Sequence, residues 1–122
     1  MSRRAISAFL VVCGLCSMPA SAQEKAGDLH LIGWAYRSAS LWLLQADFCK
    51  DYFAVNARAA ERSRNTYFNL LLDRYEIDGV NNATEEAFAF IATQLKSMGK
   101  REWCEDQKRE LIGLGLATVF PK

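Results

Sequence analysis

Residues 28–46 read DLHLIGWAYRSASLWLLQA, and this stretch decides the fold class that the sequence predicts. Asp28 stands where a helix N-cap is expected, and apolar residues cover most of the circumference of the helix that would follow it. The polar positions recur at steps of three and four and form one narrow stripe, made of His30, Gly33, Arg37 and Ser40. A helix with so little polar surface has to be buried on two or more sides.

Three further helices are predicted from the spacing of apolar residues beyond this stretch. The second spans about residues 52–76, and Gly79, just beyond it, is the residue expected to terminate it. The third begins at Asn82, which opens a capping-box pattern, and stops at Gly99. The fourth covers about residues 100–114. Its inward-facing stripe is made of Cys104, Gln107, Leu111 and Leu114, with Trp103 beside it and charged residues on the opposite face. With short connections between them, these helices predict an all-α fold, a small four-helix bundle-like domain.

The first 22 residues have the layout of a secretory signal. Arg3 and Arg4 precede an apolar run over residues 5–18, and small residues follow at the positions that a signal peptidase reads. We therefore expect residues 1–22 to be a cleaved signal peptide and residues 23–122 to be a single helical domain. The apolar run is shorter than the ~20 residues that span a bilayer, which disfavours an uncleaved anchor. The expected location is periplasmic or secreted, reached in a bacterium by general secretion.

The four cysteines fall into two pairs. Cys13 and Cys16 lie inside the predicted signal and would leave with it. Cys49 and Cys104 would remain in an oxidising compartment, where two thiols are expected to form a disulfide. The bridge would tie the junction of the first two helices to the last one. The sequence leaves open whether the chain bends at Cys49 or continues through it as one helix.

The charges of the mature chain indicate which kinds of molecule it is expected to bind. Loss of the signal would take Arg3 and Arg4 from the 15 basic residues and none of the 14 acidic residues, so the mature surface would be close to neutral. We therefore expect no nucleic-acid partner. Arg37 at the middle of the first helix argues against stable membrane insertion. Basic and acidic residues alternate along the second helix, which predicts a solvent-facing surface; its basic members are Arg58, Arg62, Arg64 and Arg74.

No catalytic, metal or cofactor site is predicted. His30 is the single histidine, whereas hydrolase dyads and zinc sites combine several such groups. Two acidic pairs, Glu85–Glu86 and Glu105–Asp106, occupy adjacent positions. On a helix their side chains diverge by about 100° and cannot act on one substrate atom. One alternative stays open, a ligand stripe of His30, Tyr36 and Arg37 that could hold a small anionic substrate or ligand.

Two short motifs carry a resemblance, FCKDYF at residues 48–53 and WCEDQ at residues 103–107, each with a cysteine beside an aromatic residue. They resemble those of small one-disulfide all-helical proteins of the bacterial periplasm, similar in style to the acid-activated periplasmic chaperones. That resemblance implies a disulfide-stapled helical dimer that opens at low pH and binds unfolded proteins. It covers the signal, the cysteine pair and the helix content, and the cysteine spacing is longer here than in those chaperones.

The aromatic residues exceed what a small bundle interior needs, which favours apolar surface left for a partner. The sequence therefore favours a non-catalytic exported protein that acts through protein–protein contacts, as an accessory in envelope stress or assembly. The partner is either another protein or a second copy of the chain. The alternatives are a small-molecule-binding protein or small enzyme with a site near His30 and Arg37, and a secreted inhibitor or effector.

Overall fold

The computed structural model describes residues 28–122, and the predicted signal peptide lies outside this range. The helices are α1 (Leu29–Gln45), α2 (Ala57–Arg74), α3 (Ile77–Met98) and α4 (Lys100–Gly113), followed by a short 3-10 helix (Ala117–Val119). Over these residues the chain has no strand, so the predicted all-α fold is confirmed. No helix between residues 28 and 122 is long and apolar enough to cross a membrane.

Helix α1 is the central helix. The Asp28 carboxylate caps it by accepting a hydrogen bond of 3.2 Å from the Leu31 amide, as predicted. The middle of α1 is enclosed, because α2 and α3 pack on it and Tyr36 and Arg37 bond to α4. Burial on several sides is thus confirmed. Ser40 was predicted on the polar stripe, but it is fully buried, and its hydroxyl has no hydrogen-bond partner among residues 28–122.

The chain bends between α1 and α2, which answers the question that the sequence left open at Cys49. Residues 46–53 form turns and a bend, and α2 begins only at Ala57, where the Asn56 side chain caps it. The predicted start near residue 52 is therefore wrong. The reason is that Tyr52 and Phe53 pack against the core from this bent segment instead of lying on a helix.

The predicted disulfide joins this bend to α4. Cys49 and Cys104 are bonded, with their Cα atoms 5.8 Å apart, and both are fully buried. Beside the bridge, Phe48 packs edge-on against Trp103 with ring centres 5.9 Å apart. The Lys100 ammonium lies 4.5 Å from the centre of the Phe48 ring, which is a cation–π contact. The bend and α4 are therefore held by a covalent bond and by aromatic contacts around it.

The break between α2 and α3 lies at Tyr75, earlier than predicted. Tyr75 has an extended backbone, and α3 begins at Ile77. Gly79 and Asn82, which were predicted to end one helix and begin the next, both lie inside α3. A tertiary contact accounts for the difference, because the Tyr75 hydroxyl donates a hydrogen bond to the Asp28 carboxylate. This bond fixes the end of α2 against the start of α1.

The remaining helix ends agree with the sequence. Gly99 stops α3 with a φ of 91°, a left-handed value that favours glycine. Helix α4 ends at Gly113, and Leu114, which was predicted on its buried stripe, is 51% exposed because the helix has already ended. The rest of that stripe is buried as predicted: Cys104, Gln107 and Leu111.

Removing the disulfide should destabilise the fold strongly. Closing a loop with a sequence separation of 55 removes denatured-state entropy worth about 4 kcal/mol in the chain-entropy model. The double variant Cys49→Ala, Cys104→Ala should therefore melt roughly 15 °C or more below the oxidised protein. Thermal melts followed by circular dichroism measure this. A melting temperature within a few degrees of the parent would show that the bridge adds no stability.

Acid should weaken the contact between Asp28 and Tyr75. The hydrogen bond from the Tyr75 hydroxyl lowers the pKa of the Asp28 carboxyl, and the Leu31 amide adds to this effect. A carboxyl whose pKa is lowered by folding stabilises the protein above its unfolded pKa of about 4, and this stability is lost as pH falls through the folded pKa.

Asp28→Asn keeps a cap acceptor but does not titrate, so its unfolding free energy should fall less steeply than that of the parent below about pH 4. Urea denaturation at a series of pH values measures this slope. Asp73→Asn, at an exposed position on α2, is the control and should keep the parental slope. If Asp28→Asn and Asp73→Asn gave the same slope, the contact would have no part in acid stability.

Candidate binding groove

A groove of about 470 Å³ lies between α1 and α3, with one side chain of α4 at its edge. We call it the Phe90 groove, after the most exposed aromatic side chain that lines it. Small residues from both helices, Gly33, Ala83 and Ala87, leave the space open. The larger lining residues are Ile32, Tyr36 and Arg37 of α1, Glu86, Phe90 and Gln94 of α3, and Glu110 of α4.

The walls of the Phe90 groove are apolar and accessible. Ile32 is 49% exposed and Phe90 is 55% exposed, although both belong to helices whose other faces form the core. The Phe90 ring stands edge-on to the Tyr36 ring, with 5.9 Å between ring centres. Apolar side chains on opposite walls of a concave surface keep a large apolar area in contact with water, and covering that area is favourable.

The polar end of the groove is built by a hydrogen-bond network that joins three helices. Gln94 Oε1 accepts hydrogen bonds from the Tyr36 hydroxyl at 2.7 Å and from Trp103 Nε1 at 3.1 Å. Gln107 Nε2 in turn donates to the Tyr36 hydroxyl at 2.8 Å. Because the Trp103 ring nitrogen can only donate, the oxygen of the Gln94 amide must face it. The Tyr36 hydroxyl therefore donates to the same oxygen and accepts from Gln107. Gln107 Oε1 is buried without a hydrogen-bond partner among residues 28–122.

Tyr36 is a fixed neutral group in this network. Burial raises the pKa of its hydroxyl above the ordinary value of 10.0, and the negative charge of Glu110 raises it further. The hydroxyl therefore stays protonated at neutral pH, donating to Gln94 and accepting from Gln107. Its contribution to the groove is to orient neighbouring side chains, not to take up protons.

Arg37 and Glu110 form an ion pair at the edge of the groove, with 2.7 Å between Arg37 Nη1 and Glu110 Oε1. The guanidinium also lies 5.3 Å from the centre of the Tyr36 ring. Since Glu110 already neutralises Arg37, a small anion could bind here only by competing with that carboxylate. Glu86 adds a second carboxylate to the lining. The electrostatics of the groove therefore disfavour the anionic ligand that the sequence left open.

The structure brings together two of the three residues of the predicted ligand stripe. Tyr36 and Arg37 both line the Phe90 groove. His30 does not line it; His30 is exposed in the first turn of α1, with its ring centre 5.0 Å from that of Trp34. The separation follows from helix geometry and position, because His30 lies almost two turns before Arg37 and only the later turns of α1 face α4.

Several groove residues were not found from the sequence, because their partners are distant in the chain. Tyr36 and Gln94 are 58 positions apart, and Arg37 and Glu110 are 73 positions apart. One signal was present: Gln107 lies on the otherwise apolar stripe of the fourth helix. A buried amide needs hydrogen-bond partners, so its position indicates a polar contact without naming the partner.

Among residues 28–122, no three His, Cys, Asp or Glu side chains come together in a group that could hold a metal ion. Comparisons of the chain with protein-family models, with curated proteins and with solved structures gave no match.

Tyr36→Phe should destabilise the fold through the network. The substitution removes the hydroxyl that binds both Gln94 and Gln107, and Gln107 is only 1% exposed. Leaving a buried amide unpaired costs about 1–3 kcal/mol, and urea denaturation should show a loss of that size. The control is Tyr67→Phe, at a partly buried tyrosine of α2, and it should cost much less. Equal losses in the two variants would argue against the network as a source of stability.

Proposed function

We propose that this protein is a non-catalytic exported protein that binds a partner protein, and that the Phe90 groove receives apolar side chains of that partner. The observation that carries the proposal is the pair of half-exposed apolar side chains, Ile32 and Phe90, on opposite walls of a groove of about 470 Å³. Each 100 Å² of apolar surface removed from water contributes about 2.5 kcal/mol before the costs of association.

The polar end of the groove supports recognition of a specific partner. Tyrosine and arginine are enriched at the energetic centres of protein interfaces, and Tyr36 and Arg37 lie beside the apolar walls. Both are already held, Tyr36 by Gln94 and Arg37 by Glu110. Side chains that are ordered before binding lose less conformational entropy when the partner docks.

Export is supported by the signal-like layout of residues 1–22 and by the buried disulfide, which is typical of oxidising compartments. The narrower form of the proposal is an accessory role in envelope stress or assembly. A small anionic ligand in the same groove is disfavoured by the ion pair between Arg37 and Glu110. Apolar side chains of a partner can enter the groove without displacing Glu110 from Arg37.

Site-specific photocrosslinking tests the proposal in the native cell envelope. A photoreactive amino acid at Ile32 or at Ala87 should give a discrete protein adduct, because both positions line the groove. The matched control is Ile77, which is 52% exposed near the start of α3 and does not line the groove. An adduct of twice the chain mass would identify the partner as a second copy of this protein.

Binding of the identified partner should depend on the groove wall. Phe90→Ser should raise the dissociation constant roughly 5- to 30-fold, as expected when an interface anchor worth about 1–2 kcal/mol is removed. Ile77→Ser removes a similarly exposed side chain from the same helix and should leave the affinity unchanged. Isothermal titration calorimetry measures both variants. Adducts at Ile77 as strong as those at Ile32, or equal losses of affinity in the two variants, would contradict the proposal.

A further inference from the structure

A second pocket, of about 450 Å³, lies between α1, α2 and α3. It shares no lining residue with the Phe90 groove, because it uses other faces of α1 and α3. We call it the Arg64 pocket. The residues that matter here are Ser38 and Trp42 of α1, Arg64 and Phe68 of α2, and Thr84 and Phe88 of α3. Its volume falls in the range of about 300–1,000 Å³ that small-molecule sites occupy.

Aromatic rings form the walls of the Arg64 pocket. Trp42 is 49% exposed and stands edge-on to Phe88, with 5.7 Å between ring centres and an interplanar angle of 85°. Phe68 adds a third ring from α2 and is partly buried against the core. Rings in this arrangement pack well against another ring or a short alkyl chain. The pocket therefore suits a compact apolar body.

Arg64 gives the pocket a positive charge. It is the single charged residue in the lining, and it is partly buried. Its Nε donates a hydrogen bond of 3.0 Å to Gln45 Oε1, which fixes the guanidinium. Within residues 28–122 it forms no ion pair. The sequence placed Arg64 on a solvent-facing surface together with Arg62. Arg62 is exposed as predicted, but the structure corrects the placement of Arg64, which is partly buried.

An anionic group would complete the Arg64 pocket. A guanidinium that is partly removed from water without a counter-ion loses hydration, and a carboxylate restores that energy through charge-assisted hydrogen bonds. The planar guanidinium matches a carboxylate in geometry better than a lysine ammonium would. No carboxylate lines this pocket, in contrast to the Phe90 groove. The two sites therefore differ in the charge that they accept.

Ser38 supplies a second donor. It is 7% exposed and lines the pocket, and its hydroxyl makes no hydrogen bond to any residue between 28 and 122. The Thr84 hydroxyl, by comparison, already donates to the Val80 carbonyl at 2.8 Å. The buried side-chain polar atoms without a partner in this range are Ser40 Oγ and Gln107 Oε1, so the Ser38 hydroxyl is open to the pocket, where an acceptor on a ligand can reach it.

We propose that the Arg64 pocket binds small molecules that combine a ring-sized apolar body with one carboxylate. The apolar body lies between Trp42, Phe68 and Phe88, and the carboxylate accepts hydrogen bonds from Arg64 and Ser38. This inference is independent of the proposed partner site, because the two sites have no lining residue in common.

The test uses 3-phenylpropionate as the probe and its neutral amide, 3-phenylpropanamide, as the matched ligand control. Amide-detected NMR of the disulfide-bonded protein should show shifts around Ser38, Trp42 and Phe88 when the carboxylate is added. The neutral amide should bind at least tenfold more weakly. Arg64→Gln should raise the dissociation constant of the carboxylate roughly tenfold or more, as expected for the loss of a charge-assisted pair.

Control variants separate this site from the rest of the surface. Arg62 lies two positions from Arg64 on α2 and outside the pocket. The variant Arg62→Gln should therefore bind 3-phenylpropionate with parental affinity. Phe90→Ser should also leave this affinity unchanged. Ser38→Ala preserves the helix and should weaken carboxylate binding roughly fivefold. The proposal is overturned if the amide binds as well as the carboxylate, if Arg62→Gln and Arg64→Gln behave alike, or if the shifts cluster at Ile32 and Phe90.

Discussion

The Cys49–Cys104 disulfide constrains α4, and the shape of the Phe90 groove depends on where α4 lies. The backbone of α4 lies less close to the other helices than α1 lies to α2, and the covalent bond is one of the contacts that hold it in place. Three side chains of α4 reach the polar end of the groove or its edge: Trp103, Gln107 and Glu110. The bridge therefore stabilises the fold and, through α4, also orders the groove.

The central position of α1 explains why the Phe90 groove and the Arg64 pocket both lie beside it. An α-helix whose middle is surrounded has neighbours on several faces, and wherever those neighbours carry small side chains a space is left beside it. On one face, Arg37 is neutralised by Glu110, and the groove is mainly apolar. On another, Arg64 stands without a counter-ion among the described residues, beside aromatic walls. The same helix thus separates two surfaces with different electrostatics.

Part of the groove could be predicted from the sequence, because Tyr36 and Arg37 are neighbours on one helix with few polar groups. Their partners could not, since Gln94 and Glu110 come from other helices. Helical periodicity places side chains around one axis, but it does not say which faces of two helices meet. His30 shows the same limit. His30 belongs to the polar stripe of α1, but it lies in the first turn of that helix, away from α4.

The sequence by itself determined the all-α class, the bounds of α1, the stop at Gly99 and the pairing of Cys49 with Cys104. The helix features depend on caps, glycine in the left-handed conformation and periodicity, all of which act within a few residues. The cysteine pairing follows because only two thiols remain after the predicted signal. Only the tertiary structure decided where α2 ends, because Tyr75 is held by Asp28 from the start of α1. It also decided the burial of Ser40 and which residues line the Phe90 groove and the Arg64 pocket. Those features depend on contacts between helices, whose free energies come from packing across the bundle and outweigh local preference.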